Sequence, residues 1–154
     1  MKLSKLALLS LALWLATVAI FGWFFVRGNT ASGSDNRTAV VLAPVERDLV
    51  LTEMRGLLIA THGILQGINA NDMKQVATAA RSGGMNAAAD VNPVLMAKLP
   101  MPFKELGMKV HHNMDDIAIA AESGKQAPEI MGMLTDTMSN CIACHASWQL
   151  QAAQ

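Results

Sequence analysis

The stretch LALLSLALWLATVAIFGWFFV, from Leu6 to Val26, contains no charged residue, and it limits the fold more than any other feature of the chain. At about 1.5 Å per residue a helix here spans a hydrocarbon core of roughly 30 Å, and it exceeds the ~7–15 apolar residues usual in a signal peptide. Lys2 and Lys5 precede it and Arg27 follows, so the cationic start is expected to stay in the cytoplasm while the remainder is exported. Trp14, Trp23, Phe24 and Phe25 suit a span with an aromatic outer end. Residues 1–27 are therefore read as a membrane anchor, with a signal peptide removed near Ala31 to Gly33 as the alternative. Both deliver the rest to an oxidising compartment, expected to be the periplasmic side of a bacterial inner membrane. The polar run GNTASGSDNRT marks residues 28–44 as a flexible linker.

What remains, residues 45–154, is enough for one domain. A net charge of zero offers no surface for nucleic acid. Tyrosine is absent and methionine reaches 11, while β-branched runs are scarce, so the class expected is all-α. Leu51, Met54, Leu58, Thr61, Leu65 and Ile68 recur at spacings of three and four, the stripe of a first helix that ends at Asn69 to Asp72. Asn71 or Asp72 caps a second helix running to Asp90, weakened by Gly83 and Gly84. After a link holding Pro93 and Pro100, Pro102 opens a third helix with Phe103, Leu106, Val110, Ile117 and Ala121 on one stripe. Pro128 opens a fourth, whose stripe of Ile130, Leu134, Cys141 and Trp148 runs almost to the end. Four helices on short connections predict an antiparallel four-helix bundle.

Both cysteines of the chain fall in S-N-C-I-A-C-H-A-S-W, residues 139–148. On a helix Cys141, Cys144 and His145 stand at i, i+3 and i+4, on one face. C-x-x-C-H is the attachment pattern of c-type haem: two thiols on adjacent turns bond the two vinyl groups of one haem edge, and the next imidazole meets the iron. A thioredoxin-like pair would sit at a helix start after a strand. A disulfide between helix neighbours would be strained. Zinc would need a fourth ligand from His62, His111 or His112, without the usual Cys₂His₂ spacing. One covalent haem c is the cofactor expected.

This motif, followed three residues later by Trp148 in a four-helix domain, resembles the class II c-type cytochromes, the cytochrome c′ family. The segment FKELGMKVHHNMDDIAIAAESGK is also similar to its counterpart in the b-type cytochrome that shares the bundle. The resemblance implies that Cys141 and Cys144 hold the haem and that His145 is the proximal iron ligand. The family divides at the sixth position, open behind an apolar residue of the first helix or filled by a methionine from it. Val50 and Ala146 stand where the open, gas-binding branch often carries an arginine and a basic residue.

In an up-down bundle the end of the fourth helix lies level with the starts of the first and third. His145 is then about 9 Å from the one end and Met54 about 12 Å from the other, so Met54 is the distal ligand expected. Met108 has a similar depth, but it lies off the Phe103–Leu106–Val110 stripe and is expected to face away. Phe103, Leu106 and Trp148 are expected against the haem edge. His62 reads as a boundary residue, and His111 and His112 as solvated side chains on the polar side of the third helix. No catalytic residues are expected and the chain is not read as an enzyme. Two functions remain: one-electron transfer by a His145/Met54-ligated haem, with redox proteins as partners, and binding of nitric oxide or carbon monoxide at an open iron. A homodimer is a further expectation from the resemblance.

Overall fold

A computed structural model describes residues 4–88 and 92–153. Over these the chain is mostly helical, with six α-helices and one small sheet. Helix α1, Lys5–Arg27, starts where the Ser4 hydroxyl accepts the Ala7 amide proton, and none of its residues is buried. It is long and apolar enough to cross a membrane, a property that anchors and signal sequences share.

The predicted linker is not one. Strands β1, Thr30–Ser32, and β2, Thr38–Leu42, pair antiparallel around a turn in which Asn36 takes a positive φ of 68°. Ala39, Val40 and Leu42 are buried. The cause was visible as T-A-V-V-L, a short β-branched run hidden behind a polar one. Strand β3, Trp148–Ala152, lies parallel to β2. It also corrects the expected fourth helix, which ends at Ser147, so Trp148 begins a strand. The all-α expectation holds for the bulk of the chain and fails at this sheet.

Helix α2, Pro44–Asn69, opens with Pro44 and a Glu46 carboxylate that accepts the Ala43 amide proton at 2.9 Å. Asp72 caps α3, Met73–Ser82, through the Gln75 amide at 2.9 Å. The predicted second helix was longer. Gly83 and Gly84 end it, the chain passes into a 3₁₀ turn at Met85–Ala88, and residues 89 and 90 of the expected helix lie outside those described. A side chain at Gly84 would collide with the Asp115 carboxylate, which instead accepts the Met85 amide proton at 2.9 Å. The expected link contains a short helix, α4, Pro93–Lys98, capped by Asn92. Helices α5, Met101–Glu122, and α6, Ala127–Ser147, complete the chain.

Helix α2 packs on α3, α3 on α5 and α5 on α6. A main core of Ile64, Val76, Ala80, Met114, Ile117 and Leu134 fills the end near the α5–α6 turn. A second cluster, Val40, Leu42, Val50, Leu95, Leu99 and Phe103, joins the sheet to α2, α4 and α5 at the other end. The apolar stripe of α2 is placed differently from the sequence expectation: Leu58 is 69% exposed and Leu65 is exposed too, while Val50, Ala60, Ile64 and Gly67 are buried. The reason is close approach. A side chain at Gly63 would touch Ala79 and one at Gly67 would touch Val76, so the small-residue face of α2 seats α3. Leu51, Met54, Leu58 and Thr61 are left lining a groove between α2 and α6, which do not pack closely on each other.

Candidate cofactor site

The groove has a volume of about 540 Å³ and walls from α2, α4, α5 and α6, within the range of cofactor and small-molecule sites. Helix α6 presents Cys141, Cys144 and His145 along it. Both thiols are free and half-buried. Cys141 packs against the main core, and Cys144 against the second cluster beside Met54, Met96 and Trp148. The motif therefore straddles the two cores.

Burial raises the Cys141 thiol above its ordinary value. Burial, reinforced by Cys141, pushes Cys144 up to about 11. A dithiol redox centre needs the opposite, a thiol lowered towards neutrality by positive charge or a helix N-terminus. These thiols lie in the last turns of α6, where the helix dipole further opposes a thiolate. Among the described residues no group of three or more His, Cys, Asp or Glu converges on one point as a metal ion requires, so a zinc centre built on the two cysteines finds no further protein ligands there.

His145 is exposed and lines both the groove and a smaller adjoining cavity of about 150 Å³. Met54, Phe103 and Cys144 border both spaces as well. The position of His145 is fixed through its backbone. The Arg37 guanidinium donates to the carbonyls of His145 at 3.2 Å and of Trp148 at 3.4 Å, and is itself held by Asp35 at 2.6 Å. Arg37 lies in the segment expected to be linker, which is why nothing in the sequence pointed to it. Phe103 and Trp148 meet edge to face, with centroids 6.1 Å apart and planes at 89°, a favoured aromatic geometry. Leu106 lines the groove one turn further along α5.

Two residues of α5 depart from expectation. Met108 lines the groove instead of facing away. His111 is not solvated: it is 3% exposed, with Nδ1 2.8 Å from the Gly83 carbonyl and Nε2 2.9 Å from the Glu53 carboxylate. Burial opposes the charged ring, but the hydrogen bond to Glu53, aided by Gly83, outweighs it and raises the His111 pKa. With acceptors at both nitrogens, the doubly protonated imidazolium satisfies the site. The signal was present in the spacing: Lys104, His111, Met114, Ala118 and Ala121 follow a three-four rhythm, and all five are buried. Polar members hid the stripe. His112 is exposed, as expected, and so is His62, which does not reach the groove.

Compared with known protein families, curated proteins and solved structures, the chain matches none.

Proposed function

We propose that the chain is a membrane-anchored c-type cytochrome, related in architecture to class II, that transfers single electrons on the periplasmic side of the inner membrane. The finer architecture proposed is a four-helix bundle of α2, α3, α5 and α6, left open between α2 and α6 to admit one haem c. One observation carries this: both thiols of C-x-x-C-H, the histidine after them and a methionine from another helix border one apolar groove. The residues present fit the group. Cys141 and Cys144 are uncharged, unpaired and directed along a single helix face, as thioether attachment needs, and His145 follows on the same face.

In such a protein the bound haem supplies a ferric/ferrous couple. The chain's own side chains do the rest. His145 and Met54 would hold the iron, and the Met54 thioether, which prefers ferrous iron, would raise the potential. Phe103, Leu106 and Leu58 would cover the apolar faces of the bound group, and Arg37 and Asp35 hold the backbone that carries His145. Redox proteins are the partners proposed.

The optical spectrum of the purified full-length protein tests this. With Met54 as sixth ligand the oxidised form is low-spin and shows a weak sulfur-to-iron band at the red end. Met54→Ala removes that band, leaves a high-spin iron that binds carbon monoxide when reduced, and lowers the potential. Met108 lines the same groove, so a Met54→Ala protein that stays low-spin directs the assignment to Met108. A wild type already high-spin and open to carbon monoxide replaces electron transfer by gas binding.

A further inference from the structure

The exit turn of α1 is built into the domain. Lys104, near the start of α5, is 7% exposed, and among the described residues no carboxylate accepts from it. Its ammonium donates to the Phe25 carbonyl at 3.1 Å and the Met96 carbonyl at 3.3 Å, and lies 3.7 Å from the centre of the Phe25 ring. A cation on the last-turn carbonyls of a helix complements its dipole, and one over a desolvated aromatic face is attracted to it. Next along the chain, Gly28 has a φ of 66°, and a side chain there would come within 2.5 Å of the Pro100 nitrogen and 2.6 Å of the Lys98 carbonyl. Asn29 then donates to the Lys98 carbonyl at 2.7 Å and exchanges bonds with Val41 of β2 on both its carbonyl and side-chain amide. The small residues where a signal peptidase could cut, Ala31 to Gly33, belong to β1 and its turn, paired with β2.

These contacts join α1 to one end of the domain. That end holds the starts of α2 and α5, and the Lys98–Glu46 ion pair ties α4 to α2 there. Through the sheet it also holds the end of α6 with His145. The opposite end, at the α5–α6 turn, is about 27 Å away along α5. On the near end Phe25, Val26 and the α4 residue Val94 are exposed apolar side chains. Arg27 lies 5.9 Å from the centre of the Trp23 ring, a cation and an aromatic at the level where headgroups meet hydrocarbon.

We propose that Lys104, the α4–α5 junction and β2 form a socket for the exit turn of α1, which is retained in the mature protein and clamps the groove end of the domain against the lipid surface. The occupant of the exposed rim around α1 is the bilayer itself, because α1 has the length and composition of a span and no residue buried in protein. The clamp depends on the polypeptide alone and holds whatever fills the groove.

The test uses the full-length chain in phosphatidylcholine–phosphatidylglycerol nanodiscs, with photoreactive benzoylphenylalanine placed at Val94 or, as a distant control, at Lys125. Lipid cross-links are expected at Val94 and not at Lys125, and the segment 28–33 should resist proteinase K. Gly28→Val should raise cutting of that segment by roughly tenfold or more, since cleavage follows the population of the opened state, and should abolish the Val94 cross-link, with helix content unchanged. Lys104→Met, which keeps the stem and removes the charge, is expected to move both readouts in the same direction and serves if Gly28→Val fails to fold. Equal cross-linking at Val94 and Lys125, wild-type cutting as fast as in the variants, or a mature N-terminus near Ser32 to Asp35 overturns the proposal. None of these readouts involves haem, so loss of the cytochrome assignment and loss of the clamp are separate results.

Discussion

The two ends of the domain are built from the same helices and solve opposite problems. Near the α5–α6 turn, α2, α3, α5 and α6 interlock through Ile64, Val76, Ala80, Ile117, Ile130 and Leu134, all essentially inaccessible. Gly63 and Gly67 let α2 and α3 approach closely there. At the other end α2 parts from α6, Met54, Cys141 and Cys144 stay half-buried, and Leu58 stands exposed beside a groove. One end thus completes its core with protein alone, while the other leaves Leu51, Met54, Leu58 and Met108 along an open apolar groove. The difference separates side chains that hold the fold from side chains that the fold itself does not require to be buried.

The largest expected effect breaks the groove end alone. Replacing both cysteines, Cys141→Ser with Cys144→Ser, should remove all covalently bound pigment from the denatured protein, and the chain should accumulate poorly because a groove left empty has lost core contacts. Covalent pigment surviving the double substitution would refute the attachment outright. Next in size is a pair of truncations that sharpens the contrast. Ile117→Ala, in the closed core, should cost about 2–5 kcal/mol in denaturant unfolding of the apo-domain, whereas Leu58→Ala should cost under about 1 kcal/mol. Comparable costs would mean that the groove closes in solution.

The smallest effect concerns His111, the bridge between the two ends. Its folded pKa is raised, so the stabilisation from its pairing with Glu53 is fully present below the ordinary value of 6.5 and is lost as pH rises through the higher folded value. Unfolding stability should therefore decline as pH rises above 6.5 and through the raised folded value. Glu53→Gln should flatten that decline. A wild-type profile already flat over this range would show that the ring is not charged in the fold.

Sequence by itself determined the elements whose signals are local. The apolar run gave α1, Pro102 and Pro128 marked the starts of α5 and α6, Asp72 was one of the two residues expected to cap α3, and the three-four spacing put Cys141, Cys144 and His145 on one helix face. Dihedral preference, capping and helical periodicity act over a few residues, so they can be read from a few residues. Only the tertiary structure decided the rest. T-A-V-V-L became a buried strand because β3, more than a hundred positions away, pairs with it. His111 and Met108 turned inward because α2 and α3 present Glu53, Gly83 and a groove to them. Lys104 was buried because α1 returns a carbonyl and an aromatic face to its ammonium. Each of these depends on a partner distant in sequence, and burial of a polar or β-branched group is favourable only once that partner is in place.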